Sequence, residues 1–159
     1  MSEAFSLTVN GSAVRVSADG ATNLIHVLRS ALGLRAVRFG CGAEGCGACM
    51  VLLDGEPVMS CTFPLERAAG HAVTTPEGIG TAEAPDPLQA AFLAEQAAQC
   101  GYCLGGILIA AKALLARNPN PTRAEIAVAL EKNLCRCGAH NRMIRAVARA
   151  ARAMRGEAA

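Results

Sequence analysis

The sequence predicts an α+β chain with its strands first and its helices second. Three features carry that prediction. Apolar–polar alternation flanks Asn10-Gly11, and further strand-like runs flank Asp54-Gly55, both pairs that favour tight hairpin turns. A glycine- and proline-punctuated stretch from Gly78 to Pro87 then interrupts all periodicity. Beyond it the chain becomes alanine-rich, and apolar residues recur at helical spacing. The expected division is a first domain over residues 1–77, a linker over 78–87 and a helical domain over 88–159.

Each element has its own signal. Phe5 to Val9 and Ala13 to Ser17 alternate about Asn10-Gly11 and make the first hairpin. Asn10-Gly11-Ser12 also matches a glycosylation acceptor, but the turn accounts for it. From Ala21 to Leu32, Leu24, Ile25, Leu28 and Leu32 fall at helical spacing, with Thr22 as candidate N-cap and Gly33 as the stop. His26 has no second histidine a helical turn away and reads as a surface residue. Cys49 to Leu53 and Pro57 to Cys61 form the second hairpin, and a short strand through His71 to Val73 follows, with His71 exposed. Helices are then expected over Leu88 to Ala98, Cys103 to Arg117, Thr122 to Lys132 and His140 to Met154. Pro119 and Pro121 end the second, and Thr122 with Glu125 forms a capping box for the third. Four helices with short connections suit a small bundle.

Composition narrows the functional classes. At 159 residues the chain is long enough to bury a core. Its first residues have neither a basic stretch nor a long apolar run, so no signal peptide is visible, and eight cysteines in such a chain suggest metal binding over disulfides. The compartment expected is cytoplasmic, with periplasmic export alongside a partner as the alternative. The longest apolar run, Leu104 to Leu115, contains Lys112 and falls short of a bilayer span, so no direct membrane insertion is expected. A formal charge of +2 gives little reason to expect nucleic acid, and two doubly negative clusters would reverse its sign. One Tyr and four Phe leave little for base stacking.

The chemistry concentrates in residues 40–49, Gly-Cys-Gly-Ala-Glu-Gly-Cys-Gly-Ala-Cys, with Cys61 downstream. Cys41, Cys46, Cys49 and Cys61 have the C-x4-C-x2-C…C spacing of a plant-type [2Fe-2S] site. Gly42, Gly45 and Gly47 suit a tight loop whose amides approach a cluster. The same residues spell a G-x-G-x-x-G dinucleotide motif. A strand follows them where that motif needs a helix, and cysteines occupy the wrong positions.

A second group, Cys100-Gly-Tyr-Cys103 and Cys135-Arg-Cys137, stands at two helix junctions that a bundle can bring together. Four thiols there suit a [2Fe-2S] cluster or structural zinc; the C-x-C pair argues against zinc without deciding the matter.

Taken together, residues 40–49, Gln99-Cys-Gly-Tyr-Cys103 and Asn133-Leu-Cys-Arg-Cys137 resemble the iron–sulfur small subunits of the molybdenum hydroxylases, the xanthine oxidase and aldehyde oxidoreductase group. The likeness spans nearly the whole chain in the right order and looks most like the bacterial branch oxidising nicotinate, isoquinoline or aldehydes. It implies a plant-ferredoxin-like β-grasp domain followed by a four-helix domain, each with one [2Fe-2S] cluster. It also implies a large subunit with a molybdopterin cofactor, in its cytosine dinucleotide form, that oxidises an N-heteroaromatic ring or an aldehyde. Electrons would enter the cluster of Cys100, Cys103, Cys135 and Cys137, pass to that of Cys41, Cys46, Cys49 and Cys61, and leave to a flavin subunit or c-type cytochrome. This subunit would have no catalytic residue. Gln99 and Cys137 match the family positions that touch the pterin, although Gln99 alone would read as a surface amide.

Two departures stand out. The family often has Cys-Thr-Pro-Gly where this chain has Cys103-Leu104-Gly105-Gly106, and Cys-Thr-Gly-Tyr where it has Cys137-Gly138-Ala139-His140. His140 then reads either as a donor near the cluster or pterin or as a space-filling helix start. Tyr102 would shield a cluster from water, Arg136 would offset cluster charge or lie at an interface, and Glu44 would sit exposed at a loop tip. The rival readings are a free-standing two-cluster ferredoxin serving a separate reductase and a zinc-stapled interaction module.

Overall fold

The computed structural model describes residues 2–157. Its first half is a five-stranded sheet in the order β2-β1-β5-β3-β4, comprising β1 (Glu3–Val9), β2 (Ser12–Ala18), β3 (Met50–Leu53), β4 (Glu56–Met59) and β5 (Ala72–Thr74). The β1–β5 pair is parallel; β1–β2, β3–β4 and β3–β5 are antiparallel. Both hairpins turn where the sequence requires. Asn10 and Gly11 have φ of 50° and 80°, and Asp54 and Gly55 have 49° and 88°. The turn residues also reach outward. Asn10 exchanges side-chain hydrogen bonds with buried Thr75, and His71 Nδ1 lies 2.6 Å from Asp54 Oδ2, a partner its sequence context did not suggest.

A short helix, α1 (Leu24–His26), continues into a π-helical turn over Val27–Ala31 and packs Leu24, Ile25, Val27 and Leu28 against Leu7, Val9, Val51 and Val73. It starts later than its periodicity suggests, and Thr22 does not cap it. The opening amides are taken by other backbone instead: Leu24 N–H donates to Phe63 O (2.7 Å) and Ile25 N–H to Ser60 O (3.0 Å). Gly33, at φ 70°, ends the segment as expected. A one-turn helix, α2 (Leu65–Ala68), carries no signal strong enough to have been read from sequence.

Four helices follow: α3 (Pro87–Ala94), α4 (Leu104–Arg117), α5 (Arg123–Ala129) and α6 (His140–Met154). An Asp86/Gln89 capping box and Pro87 in the first turn open α3; Gln96, at φ 46°, follows its early end. Glu95 joins α3 to α6 through Arg145 (3.2 Å) and Arg149 (3.3 Å), while Lys112 of α4 pairs with the Asp86 cap. The Thr122/Glu125 box opens α5, which ends at Ala129, short of Lys132.

Strand β3 lies between two cores. Met50 and Leu52 face one core with Leu88, Phe92, Ile107, Ile109 and Met143; Val51 faces the other with Leu7, Leu24, Leu28 and Val73. The unbroken Met-Val-Leu-Leu run has this cause, since a strand covered on both faces needs no polar alternate. Among the described residues, no helix is long and apolar enough to cross a membrane.

Candidate metal centres

The first thiol loop is held from beneath before it begins. Arg29 donates to the carbonyls of Arg35 (3.1 Å) and Val37 (2.6 Å), and Glu77 Oε1 accepts the Ala36 N–H at 2.7 Å. From that fixed base the chain turns tightly, with Gly42, Glu44 and Gly47 all at positive φ. A Cβ on Gly40 would lie 2.6 Å from Cys46 Sγ, so a glycine there lets backbone approach sulfur.

The loop then aims its amides at sulfur. Ala43 N–H (3.3 Å) and Gly45 N–H (3.2 Å) donate to Cys41 Sγ, and Cys41 N–H donates to Cys46 Sγ at 3.4 Å. Chiefly through the Ala43 N–H, the Cys41 thiol is lowered to about 7. Cys49 and Cys61 flank the β3–β4 hairpin, just outside its strands, and are buried; burial first, then the Cys61 thiol, pushes the Cys49 thiol up to about 12 against the lowering effect of the Cys61 N–H. A pocket this hostile to a free thiolate suits one whose charge is neutralised by metal. Exposed Glu44 accepts a hydrogen bond from Thr62, tying the loop tip to the residue after Cys61.

The second quartet gathers where α3 gives way to α4 and α5 to α6. Cys100, Cys103, Cys135 and Cys137 line one recess with Gln99, Leu104 and Met143. The Tyr102 amide first, then the Cys137 side chain, lowers the Cys100 thiol. Burial pushes Cys103 up to about 12, and its neighbour is Cys135. Against the cost of its own burial, Cys135 is lowered by the Ala139 amide and by Cys103.

All eight thiols are free; Cys41 and Cys46, Cys49 and Cys61, Cys100 and Cys137, and Cys103 and Cys135 perturb one another, and Cys46 with Cys49, Cys100 with Cys135 and Cys100 with Cys103 are close enough to interact through charge as well. No three His, Cys, Asp or Glu side chains among the described residues close on one point fit for a single ion. Four thiolates suit a two-iron rhomb, with two to each iron. The all-thiol donor set and the sulfur-directed amides fit two [2Fe-2S] clusters.

The two loops touch. Leu134 N–H donates to Cys46 O (3.0 Å), the Asn133 amide donates to Gly47 O (3.3 Å), and Asn133 Oδ1 is buried without a partner. His140 Nε2 lies 2.8 Å from Asn133 O; a carbonyl only accepts, so that nitrogen carries the proton and braces the Cys135–Cys137 turn. Helix α4 closes the junction: a Cβ on Gly106 would stand 1.9 Å from Gly47 O, and one on Gly105 would stand 2.5 Å from Ala36 O. Gly105 and Gly106 thus stand at a backbone-to-backbone contact, which accounts for glycine at both positions.

Arg29, Glu77, Gly105, Gly106 and the Asn133 side chain were not singled out from sequence as holding the centres. The two glycines opening a long helix were the available signal, because that position disfavours glycine unless something lies close. Gln99 is exposed and makes no hydrogen bond among the described residues; Arg136 is exposed, and Tyr102 is half-exposed.

Comparison with known proteins defines the class first. Residues 7–74 match the 2Fe-2S iron-sulfur cluster binding domain, and residues 75–148 match the [2Fe-2S] binding domain, so this is a two-cluster iron–sulfur protein. A nicotinate dehydrogenase subunit from Pseudomonas putida is 50% identical over 155 residues, covering 98% of this chain and 99% of that one. The isoquinoline 1-oxidoreductase alpha subunit of Brevundimonas diminuta is 45% identical over 145 residues, 91% of this chain and 95% of that one. Quinoline 2-oxidoreductase from Pseudomonas putida 86 superposes with a TM-score of 0.91 at 36% identity over 99% of each chain. Aldehyde oxidoreductase from Desulfovibrio desulfuricans superposes at 0.94 with 43% identity, over 98% of this chain but 17% of that one. The chain belongs to the iron–sulfur small subunits of the molybdenum hydroxylases. It is a non-catalytic, electron-transferring subunit of an oxidoreductase.

Proposed function

We propose that this chain relays electrons from a large molybdopterin-binding subunit to an external acceptor during hydroxylation of an N-heteroaromatic compound or oxidation of an aldehyde. In this reading Cys41, Cys46, Cys49 and Cys61 hold the cluster of a β-grasp domain ending near residue 77. After a linker over 78–87, Cys100, Cys103, Cys135 and Cys137 hold the cluster of a four-helix domain. Each cluster, when bound, supplies reversible one-electron chemistry. The protein's part is to fix the sulfurs, supply amides to them and keep the two loops in contact. Gln99 and Cys137 face the partner's cofactor, taken to be the cytosine dinucleotide form, and the exposed Gln99 amide is free to hydrogen-bond it. The acceptor is a flavin subunit or a c-type cytochrome.

One observation carries the reading: eight unjoined thiols grouped as two quartets whose loops meet at Leu134 N–H and Cys46 O. The partner is supported by the aldehyde oxidoreductase chain, in which the counterpart is one part of a longer polypeptide. The substrate class is supported by the nicotinate and isoquinoline relatives. The test is anaerobic purification with its partner, iron and sulfide analysis, and a Cys103→Ser variant. The variant should lose one of two EPR signals and all acceptor-linked turnover while keeping the other signal. Undiminished turnover would take the second quartet off the route.

A further inference from the structure

The contact between the two thiol loops has a buried side and an open side. The Asn133 side chain holds the buried side at Gly47 O, and the N–H of exposed Leu134 adds a hydrogen bond to Cys46 O. On the open side, Tyr102 stands between Cys100 and Cys103 with 48% of its surface exposed, and its hydroxyl donates to Phe39 O at 2.6 Å. Phe39 precedes Gly40, the residue packed on Cys46 Sγ. The Arg38 guanidinium, next to Phe39 in the chain, lies 5.8 Å from the Tyr102 ring centroid and so gives the same segment a second contact with Tyr102, while the His26 ring lies 5.8 Å from that of Phe39. A half-exposed phenol can satisfy its hydroxyl with water. Bonding instead to a carbonyl 63 residues away restricts the ring without adding burial.

We propose that Tyr102 is a positioning residue for electron exchange between the two centres. Its hydroxyl fixes the N-terminal end of the first thiol loop against the second quartet, while Leu134 and Asn133 fix the C-terminal end. The step itself is the loss of one electron by one centre and its gain by the other; no bond or proton moves, and Tyr102 is neither oxidised nor deprotonated. The inference rests on the two-centre reading above.

The experiment uses the full chain loaded with iron and sulfide, as wild type, Tyr102→Phe and Tyr102→Ala. Metal and sulfide content is measured first. A wild-type chain that takes up neither sinks the two-centre reading and this inference with it. In loaded Tyr102→Phe, amide hydrogen exchange over residues 40–42 should quicken about fivefold, the population change that one neutral hydrogen bond controls. The magnetic splitting between the reduced centres should weaken, and the inter-centre rate after flash reduction should fall. Tyr102→Ala should add a shift in midpoint potential from the lost ring, which Tyr102→Phe should not produce. A loaded Tyr102→Phe chain that matches wild type in exchange, splitting and rate overturns this inference alone. So does one that fails to load, because the hydroxyl would then serve cluster binding.

Discussion

Replacing Gly106 with alanine sets two effects of known size against each other. Alanine is favoured over glycine inside a helix by about 1 kcal/mol, and residue 106 lies within α4. The new methyl, however, would stand 1.9 Å from Gly47 O, 2.9 Å from its carbonyl carbon and 3.2 Å from Ala48 Cα. All three atoms are backbone, so no rotamer change relieves the contact. The helix and the thiol loop must separate by roughly 1 Å, and overpacking against rigid neighbours costs about 3 kcal/mol, the upper end of its usual range. The clash wins by about 2 kcal/mol. For a chain of this length that lowers Tm by about 4–8 °C. Thermal unfolding of the iron-loaded chain by far-UV circular dichroism reads the loss. Visible circular dichroism of the first centre should change as well, because Gly47 directly follows Cys46. A Gly106→Ala chain with a raised Tm and unaltered visible bands would refute the close approach and leave helix propensity as the larger of the two effects.

Asp86→Ala removes the side-chain acceptor at the start of α3 and the partner of Lys112. Cap loss alone is worth about 1 kcal/mol, so the urea midpoint should fall, whereas Asp86→Asn should recover most of the capping share. The iron-free chain should show opposed thiol reactivity. A thiol lowered to about 7 is substantially thiolate at neutral pH, so Cys41 labelling by iodoacetamide should rise through pH 7 and then level off. Cys49, held up near 12, should stay unlabelled even at pH 9.0, the ordinary thiol value. Peptide mapping that found both labelled equally at neutral pH would contradict the amide-donor geometry of the loop.

Local features were legible in the sequence because their causes are local. Asn10-Gly11 and Asp54-Gly55 turn as their conformational freedom dictates, and Thr122 with Glu125 opens α5 through its own side chains. The thiol spacing was legible for the same reason, since a loop of fixed length limits where its sulfurs can meet. Departures came where distant backbone intervened. Thr22 looked like a cap, yet the Leu24 and Ile25 amides donate instead to the carbonyls of Phe63 and Ser60. Helix α3 stops early because Gln96 turns left-handed, which no residue type announced. The junction of the two loops was illegible for the strongest reason. Asn133 and Gly47 are 86 positions apart, and their contact has no periodic or compositional trace.

The double-sided burial of β3 also determines how the polypeptide can be divided. Met50 and Leu52 have their apolar company in the helices, so severing the chain between β5 and α3 would expose one side of a central strand and the matching flank of α4 together. Fragments made that way would be expected to clump or to reassemble with each other. Heat or denaturant should therefore bleach both chromophores in one transition, and a lesion beside either centre should be felt at the other through their common wall.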